Sequence, residues 1–581
     1  MDAFISSITD HLTIDIETDG NNPYTAGIKC VCFGTSPTNV VRLKDRDNIQ
    51  QLLNLPVPKL GHNIKFDVKV LNQHGYSVRG PYEDTFILAQ MLQKVDGKYL
   101  SAKKNHYKLK KLVNRIWGTE YLDFTKLLAQ YNPQTKKADM KIDKIPEDVL
   151  VEYCKNDCKI TDQLFEKLKS QARIEDLWVY NNIEQPLIPR LIDMEMTGIK
   201  VDMQKLEEVG KEVEKELIQW REATWSLAGY TFNINSNPQL KHIFYGVWKH
   251  PIVRKTSKGN ISLNDGTLTK LAEWGYELAI LVQGYRSLYK LKTSFIDKFK
   301  YMVNPYTGRL HCSFSQTGAG TGRFSCKYPN LQQIPPFVRK IFVADEGKVL
   351  IGADYSQVEL RILAHLADDP VYIEMFLNGE DPHTKIAEMF GSSRKVAKTI
   401  NFGNVYGQTA YGLAKNAGCT VKEAEEFLRR YHERFPTVQA FGRKKLKEML
   451  LKKDKIVTTL FGRGRRIDIE GLWEETKKMR TLKKKSALKE KLYRIAINTA
   501  VQGTCADIIK MAMKNVFNSE KLTATGAQLL LQIHDELIFE VAKDKADEAM
   551  GIIREVMENV VKLKVPLKVD IHKGANWGEL K

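Results

Sequence analysis

Asp15 and Glu17 stand two apart in the alternating run LTIDIETDG. Side chains at i and i+2 of a strand point to the same face, so the two carboxylates share one site. Like charges that close repel unless a cation neutralises them, which leaves a divalent-metal site or a solvated strand face. Two later pieces favour the metal. HNIKFD sets Asp67 behind an aromatic residue, and EYCKND sets Tyr153 and Asp157 one helical turn apart. Four acids and a phenol can then converge.

A second acidic set lies far downstream. KVLIGADYSQVELR begins as an apolar strand, reaches Asp354 at its end and turns helical from about Gln357. LLLQIHDELIFEV reads as a hairpin with His534, Asp535 and Glu536 at its turn. Each aspartate alone has an ordinary reading, a helix cap or a loop acid. Together they suit a two-metal centre, whose ions need carboxylates from a rigid sheet. Between them, in SRKVAKTINFGNVYGQ, Arg394, Lys398, Phe402 and Tyr406 recur at steps of four. On a helix they drift about 40° per step along roughly 18 Å, so they line one slowly turning face. Two cations followed by two aromatics fit a triphosphate and then a base and sugar. Arg494, Asn498 and Gln502 repeat the spacing with hydrogen-bonding groups.

The elements that must hold these groups divide a chain of 581 residues, too long for one ordinary core, into two to four expected domains. From Thr13 to about Ser170, short β-type runs followed by helical patterns predict an α/β domain. From about Ile183 to Met302, long charged amphipathic stretches predict a helical arm. The Gly-, Pro- and Ser-rich segment RLHCSFSQTGAGTGRFSCKYPNLQQIPP should be loop and short strand, joining an α+β unit that runs to the C-terminus.

With 43% hydrophobic and 27% charged residues the chain is of the globular class, and its formal net charge of +19 attracts polyanions, nucleic acid first among them. The eight cysteines include Cys30, Cys32, Cys154 and Cys158 but no paired CxxC sets, which fits a reducing compartment. MDAFISSITDHLT lacks the features of a signal peptide and no apolar run could span a bilayer, so a cytoplasmic protein with no membrane partner is expected.

The ordered set DxE, NxxFD and YxxxD resembles the 3′–5′ proofreading exonuclease domain of DNA polymerases, and all its acidic positions are filled. DYSQVELR, RxxxKxxxFxxxYG and HDE resemble motifs A, B and C of family A DNA polymerases, the bacterial DNA polymerase I type. TGRFS, PNLQQIP, RIAINTAVQGTCADIIK, YRSLYKLKTSF and NWGE extend the likeness over nearly the whole chain.

The resemblance implies an RNase H-like exonuclease domain at 1–175 and a right-hand polymerase domain at 176–581. Its thumb would be about 190–310, its palm about 311–360 and 505–581, and its fingers about 361–504. Asp15, Glu17, Asp67 and Asp157 would hold two Mg2+ ions, with Tyr153 orienting the attacking water. Asp354 and Asp535, with the Tyr355 backbone carbonyl, would hold two more, Mn2+ being able to substitute. Arg394, Lys398, His383 and Gln357 would meet the incoming deoxynucleoside triphosphate. Phe402 would pack on its sugar, Tyr406 would sit at the templating position, and Glu359 would exclude a ribose 2′-hydroxyl. Arg323, Arg494, Asn498, Gln502 and His534 would contact primer-template DNA, the chain acting as a monomer.

The likeness weakens in three places. Ala319 stands where the family usually has threonine, Cys326 replaces a common serine, and WEETKKMRTLKKKSALKEKLY is more basic and longer than usual. That last run is either a solvated face or a grip on template. The chain starts at the proofreading strand, so no 5′ nuclease domain is expected. A single-subunit RNA polymerase would lack Glu359 as a gate and a proofreading domain. A nuclease with a DNA-binding remnant should have lost Asp354 or Asp535.

Overall fold

The computed structural model describes residues 1–100, 104–136, 139–256, 259–405, 409–475 and 481–580. The chain forms two compact units. The larger combines residues 1–196 with 314–325 and 353–571, and the smaller combines 197–313 with 326–352 and 572–581.

In the larger unit the N-terminal portion is built on a five-stranded sheet ordered β3-β2-β1-β4-β5, from β1 (Leu12–Thr18), β2 (Ile28–Ser36), β3 (Asn39–Leu43), β4 (Lys59–Gly61) and β5 (Tyr82–Asp84). The β1–β2 and β2–β3 pairs are antiparallel, while β1–β4 and β4–β5 are parallel. The central strand β1 keeps Leu12, Ile14 and Ile16 buried, and that alternation sets Asp15 and Glu17 on the opposite face. Helix Ile64–Gln73 carries Asp67, and helix Glu147–Gln171, 25 residues long, packs across β1 and β2.

Most of the strands and helices of the second acidic set belong to the same unit, the unit boundary falling within strands Lys348–Tyr355 and Val569–Gly574. Strand Lys348–Tyr355 lies in a four-stranded sheet between strand Glu536–Ala542 and strand Val569–Gly574, with strand Gln528–Ile533 outermost beside Glu536–Ala542. Ile533 pairs with Glu536, so the hairpin turn is His534–Asp535 alone. Glu536, expected at the turn, belongs instead to the strand and is buried. His534 takes up the left-handed conformation, φ 55°, that a two-residue turn of this hand demands.

A buried charge network ties this portion together. Glu184 accepts hydrogen bonds from Lys510 and from Gln316 (2.9 Å) and pairs with Arg463 (2.5 Å). Arg463 also pairs with Asp507 at 2.6 Å, and Thr459 bonds to that carboxylate at 2.7 Å. Asp176 joins Arg173 and Arg466, and Arg466 also bonds to the Leu92 carbonyl at 2.8 Å. Removing one member of such a buried pair leaves a bare charge at a cost of about 3–5 kcal/mol. The network therefore fixes the N-terminal portion against the helix Thr481–Phe517.

The smaller unit is mainly helical. Helix Met203–Ala228 packs along helix Glu277–Leu291, and Gly284 is needed at their crossing, because a Cβ there would meet the Trp220 ring at 2.6 Å. A three-stranded sheet sets Ile199–Val201 between Phe342–Val343 and Arg309–Leu310. Among the described residues no helix is long and apolar enough to cross a membrane.

Candidate active sites

The first acidic set converges. Carboxylate oxygens of Asp15, Glu17 and Asp157 all lie within 4.8 Å of one another, and Asp67 is close enough for its charge to act on Glu17. Burial, only partly offset by the Cys154 thiol and Lys110, pushes the Asp15 carboxyl up to about 7. Burial followed by the charge of Asp15 raises Glu17 and Asp67 well above the usual range. Asp15 Oδ2 is buried without a hydrogen-bond partner among the described residues. Crowded carboxylates with an orphaned oxygen form a donor set of hard ligands suited to a divalent cation such as Mg2+. Tyr153 reaches the site from the same helix as Asp157, its ring edge-on to Phe124 with centroids 5.6 Å apart. Burial and then the charges of Glu17 and Asp15 raise its phenol, so it is a neutral donor.

The sequence reading missed Lys110. Its ammonium pairs with Asp157 and lies 4.5 Å from the centre of the Tyr153 ring, a cation held among the acids. Burial lowers it to about 8 against the pull of Asp15 and Glu17. In the run KLKKLVNRIW four basic residues compete for attention, and only the buried face of helix Leu109–Trp117 singles out Lys110.

The second set is more open. The Tyr355 N–H donates to the Asp535 carbonyl at 3.2 Å, which brings the hairpin tip beside the strand end carrying Asp354. Asp354 is exposed and Asp535 half-buried. The Tyr355 hydroxyl bonds to the Met557 carbonyl at 2.7 Å, fixing the strand end. Arg323 pairs with the buried Glu359 and stands 4.0 Å from Asp535, so the segment 314–325 brings a cation to both acids.

Gln357 caps helix Val358–Ala367 with φ 51° and donates to Asp381. Asp381 also accepts from Thr384 and from Arg394 at 2.8 Å. Burial alone would raise this carboxyl, but the bonds from Thr384, Arg394 and Gln357 hold it well below the usual range. Asp381 thus links the strand end to helix Arg394–Val405, on which Arg394 and Lys398 are both exposed. His383 is buried rather than open, bonded at 2.9 Å to Asn401 of that helix, and burial lowers its imidazole. Tyr406 and the Phe402 side chain lie outside the described residues, as do 476–480 and the side chains of 481–485 in the basic run. Arg494, Asn498 and Gln502 are half-buried on helix Thr481–Phe517, and Asn498 Oδ1 is buried with no partner among the described residues. His534 is exposed at the hairpin tip.

Comparison with known proteins bears on both sites. The model for "DNA polymerase family A" matches residues 203–579, and that for "3'-5' exonuclease" matches residues 2–173. The thermostable DNA polymerase I of Thermus filiformis is 40% identical over 438 residues, 73% of this chain and 51% of that protein. The DNA polymerase I of Chloroflexus aurantiacus is 36% identical over 547 residues, 90% of this chain and 55% of that protein. That of Pseudomonas aeruginosa is 34% identical over 559 residues, 92% of this chain and 58% of that protein. The chain therefore spans about half the length of these relatives. Among solved structures, the Pol1 polymerase domain of M. smegmatis, in complex with DNA primer-template and dNTP, superposes with a TM-score of 0.83 at 27% identity. The superposition covers all of this chain and 98% of that one. The chain belongs to DNA polymerase family A, with a 3′–5′ exonuclease domain preceding its polymerase domain.

Proposed function

We propose that the protein is a template-directed DNA polymerase with a proofreading 3′–5′ exonuclease, acting on primer-template DNA and deoxynucleoside triphosphates. The observation that carries this reading is two separate carboxylate sites in one chain, each built on its own sheet. Asp15, Glu17, Asp67 and Asp157 would hold two Mg2+ ions in the first site, and Asp354, Asp535 and the Tyr355 carbonyl two in the second. The bound ions would supply an activated oxygen nucleophile and neutralise charge on the leaving oxygen.

The chain's own residues do the rest. Arg394 and Lys398 bind the triphosphate from one helix face, and Asp381 holds the Arg394 guanidinium ready. Glu359 occupies the space of a 2′-hydroxyl and releases Arg323 to the primer when DNA enters. Arg494, Asn498 and Gln502 read the minor-groove edges of the new pair, where Asn498 Oδ1 gains the donor it lacks. In the first site Tyr153 orients the attacking water, and Lys110 leaves Asp157 to meet the phosphate. The palm would comprise about 311–360 and 505–581, with fingers between and the thumb at about 190–310.

Extension of a primed template, with and without a terminal mismatch and with deoxy- or ribonucleotides, tests both sites. Deoxynucleotide extension with removal of the mismatched end is expected. Failure to extend with either nucleotide removes the polymerase reading, and a persistent mismatch removes the exonuclease reading.

A further inference from the structure

Beside the first acidic site lies a cluster that the polymerase and exonuclease reading does not use. Cys30 and Cys32 are two apart on β2, so both thiols face the same way, and Cys154 meets them from helix Glu147–Gln171. The three Sγ atoms all lie within 4.8 Å of one another, and Cys30 and Cys32 are 3.8 Å apart. A tetrahedral zinc–thiolate centre with bonds of about 2.3 Å has sulfur–sulfur edges of about 3.8 Å, so this spacing already suits one ion. The thiols are at most 3% exposed and are walled by Leu127, Ile142, Ile145 and Leu150, so water competes poorly for a ligand position. Thiolates select soft cations, whereas the neighbouring carboxylates select hard ones.

Three pairings join the cluster to the acids. In the strand register Cys32 lies opposite Asp15 and Cys30 opposite Glu17. Cys154 Sγ also donates to the Asp15 carbonyl at 3.4 Å. Arg42, the register partner of Cys32 on β3, brings a positive charge that acts on the Cys30 thiol and would offset the surplus of three thiolates over a divalent ion.

We propose that Cys30, Cys32 and Cys154 form a binding site for one soft divalent cation of the zinc–cadmium class, and that its occupancy is communicated to the exonuclease carboxylates through Cys154 and Asp15. Binding replaces three S–H protons, released to solvent, with three metal–sulfur bonds and withdraws the Cys154 thiol from the Asp15 carbonyl. The coupling half of the proposal rests on the exonuclease reading, and the binding half does not.

The test uses the full reduced chain, stripped of metal and titrated with Cd2+ while near-ultraviolet sulfur-to-cadmium charge transfer is followed. One equivalent should bind with a three-thiolate band. Cys32→Ala and, separately, Cys154→Ala should weaken binding at least tenfold, while Cys419→Ala, which alters a half-exposed thiol outside the cluster, should not. X-ray absorption on the unmutated Zn2+-loaded protein guards against variants that fail to fold, and should show three sulfurs at about 2.3 Å. An oxygen- and nitrogen-only shell, or Cd2+ binding unchanged in both cluster variants, would overturn the site. In Mg2+ buffer, one equivalent of Cd2+ should slow 3′ excision several-fold and leave extension within twofold. Unaltered excision would overturn the coupling. A chain with no excision in Mg2+ alone would instead remove the exonuclease reading and leave the cadmium titration standing.

Discussion

The two carboxylate sites solve the same electrostatic problem in opposite ways. Asp15, Glu17, Asp67 and Asp157 are crowded and largely out of water, the first three raised toward neutrality, with Lys110 as a resident cation. Asp354 and Asp535 sit at a strand end and a hairpin tip, one exposed and one half-buried, with Arg323, 4.0 Å from Asp535, reaching in from a loop. Burial makes charge expensive unless it is matched, so the first site must carry its own counter-charge, while solvent screens the second. The closed site is thus organised by its own counter-charge, and the open site stays accessible to solvent.

Separating the two activities is the strongest way to break this comparison. Asp535→Ala should lower primer extension by roughly 10^3-fold or more, the scale of a lost transition-state electrostatic contact, while excision of a mismatched end continues. Equal loss of both activities would mean that the sites are not independent. The double substitution Asp15→Ala with Glu17→Ala should do the reverse, abolishing excision by a similar factor and sparing extension. Gel assays on one labelled primer read both results.

A smaller effect is expected from Lys110→Met. In chelator it leaves the buried acids without their cation and should destabilise the N-terminal portion by about 3 kcal/mol, the scale of a broken buried pair. Mg2+ should restore most of that loss. Thermal unfolding in chelator and in Mg2+ measures the difference, and equal loss in both would mean that Lys110 acts only through packing.

The mildest test is pH. A carboxyl raised to about 7 binds a proton below that pH and must release it to take a metal ion. Mg2+ affinity of the first site should therefore fall as pH drops below about 7, by up to about tenfold per unit, and level off above it. The sign is opposite for folding without metal. Asp15 binds its proton more tightly in the folded chain, so its contribution is greatest below its unfolded value and is lost as pH rises to about 7. Calorimetry in two buffers of different ionisation heat should detect proton release on binding near pH 6.5, and none would remove the raised carboxyl from the account.

Much of both sites was legible in local pattern. Alternation in LTIDIET put Asp15 and Glu17 on one face, and the YxxxD spacing put Tyr153 over Asp157 on one helix, as found. The hairpin around Asp535 was legible too, though its turn is shorter than the run of polar residues suggested and Glu536 is a buried strand residue. Lys110, Asp381 and Asn401 were not visible, because each acts through a partner far away in sequence or through burial that a run of similar residues conceals. The burial of His383 was hidden for the same reason, since its partner Asn401 lies on the next helix.

By itself the sequence determined which residues could bear the chemistry and which face of a strand or helix carries them, because side-chain direction follows the short periods of the backbone. Only the tertiary structure decided how far each carboxylate is removed from water, which cation stands beside it, and that Cys154 meets Cys30 and Cys32 next to Asp15. Those outcomes depend on desolvation and on contacts between residues 47 to 139 positions apart, and neither is encoded in local spacing. Asp354 and Asp535 needed both. Each motif named its aspartate, and the hydrogen bond from Tyr355 to the hairpin tip brought the strand end beside the turn.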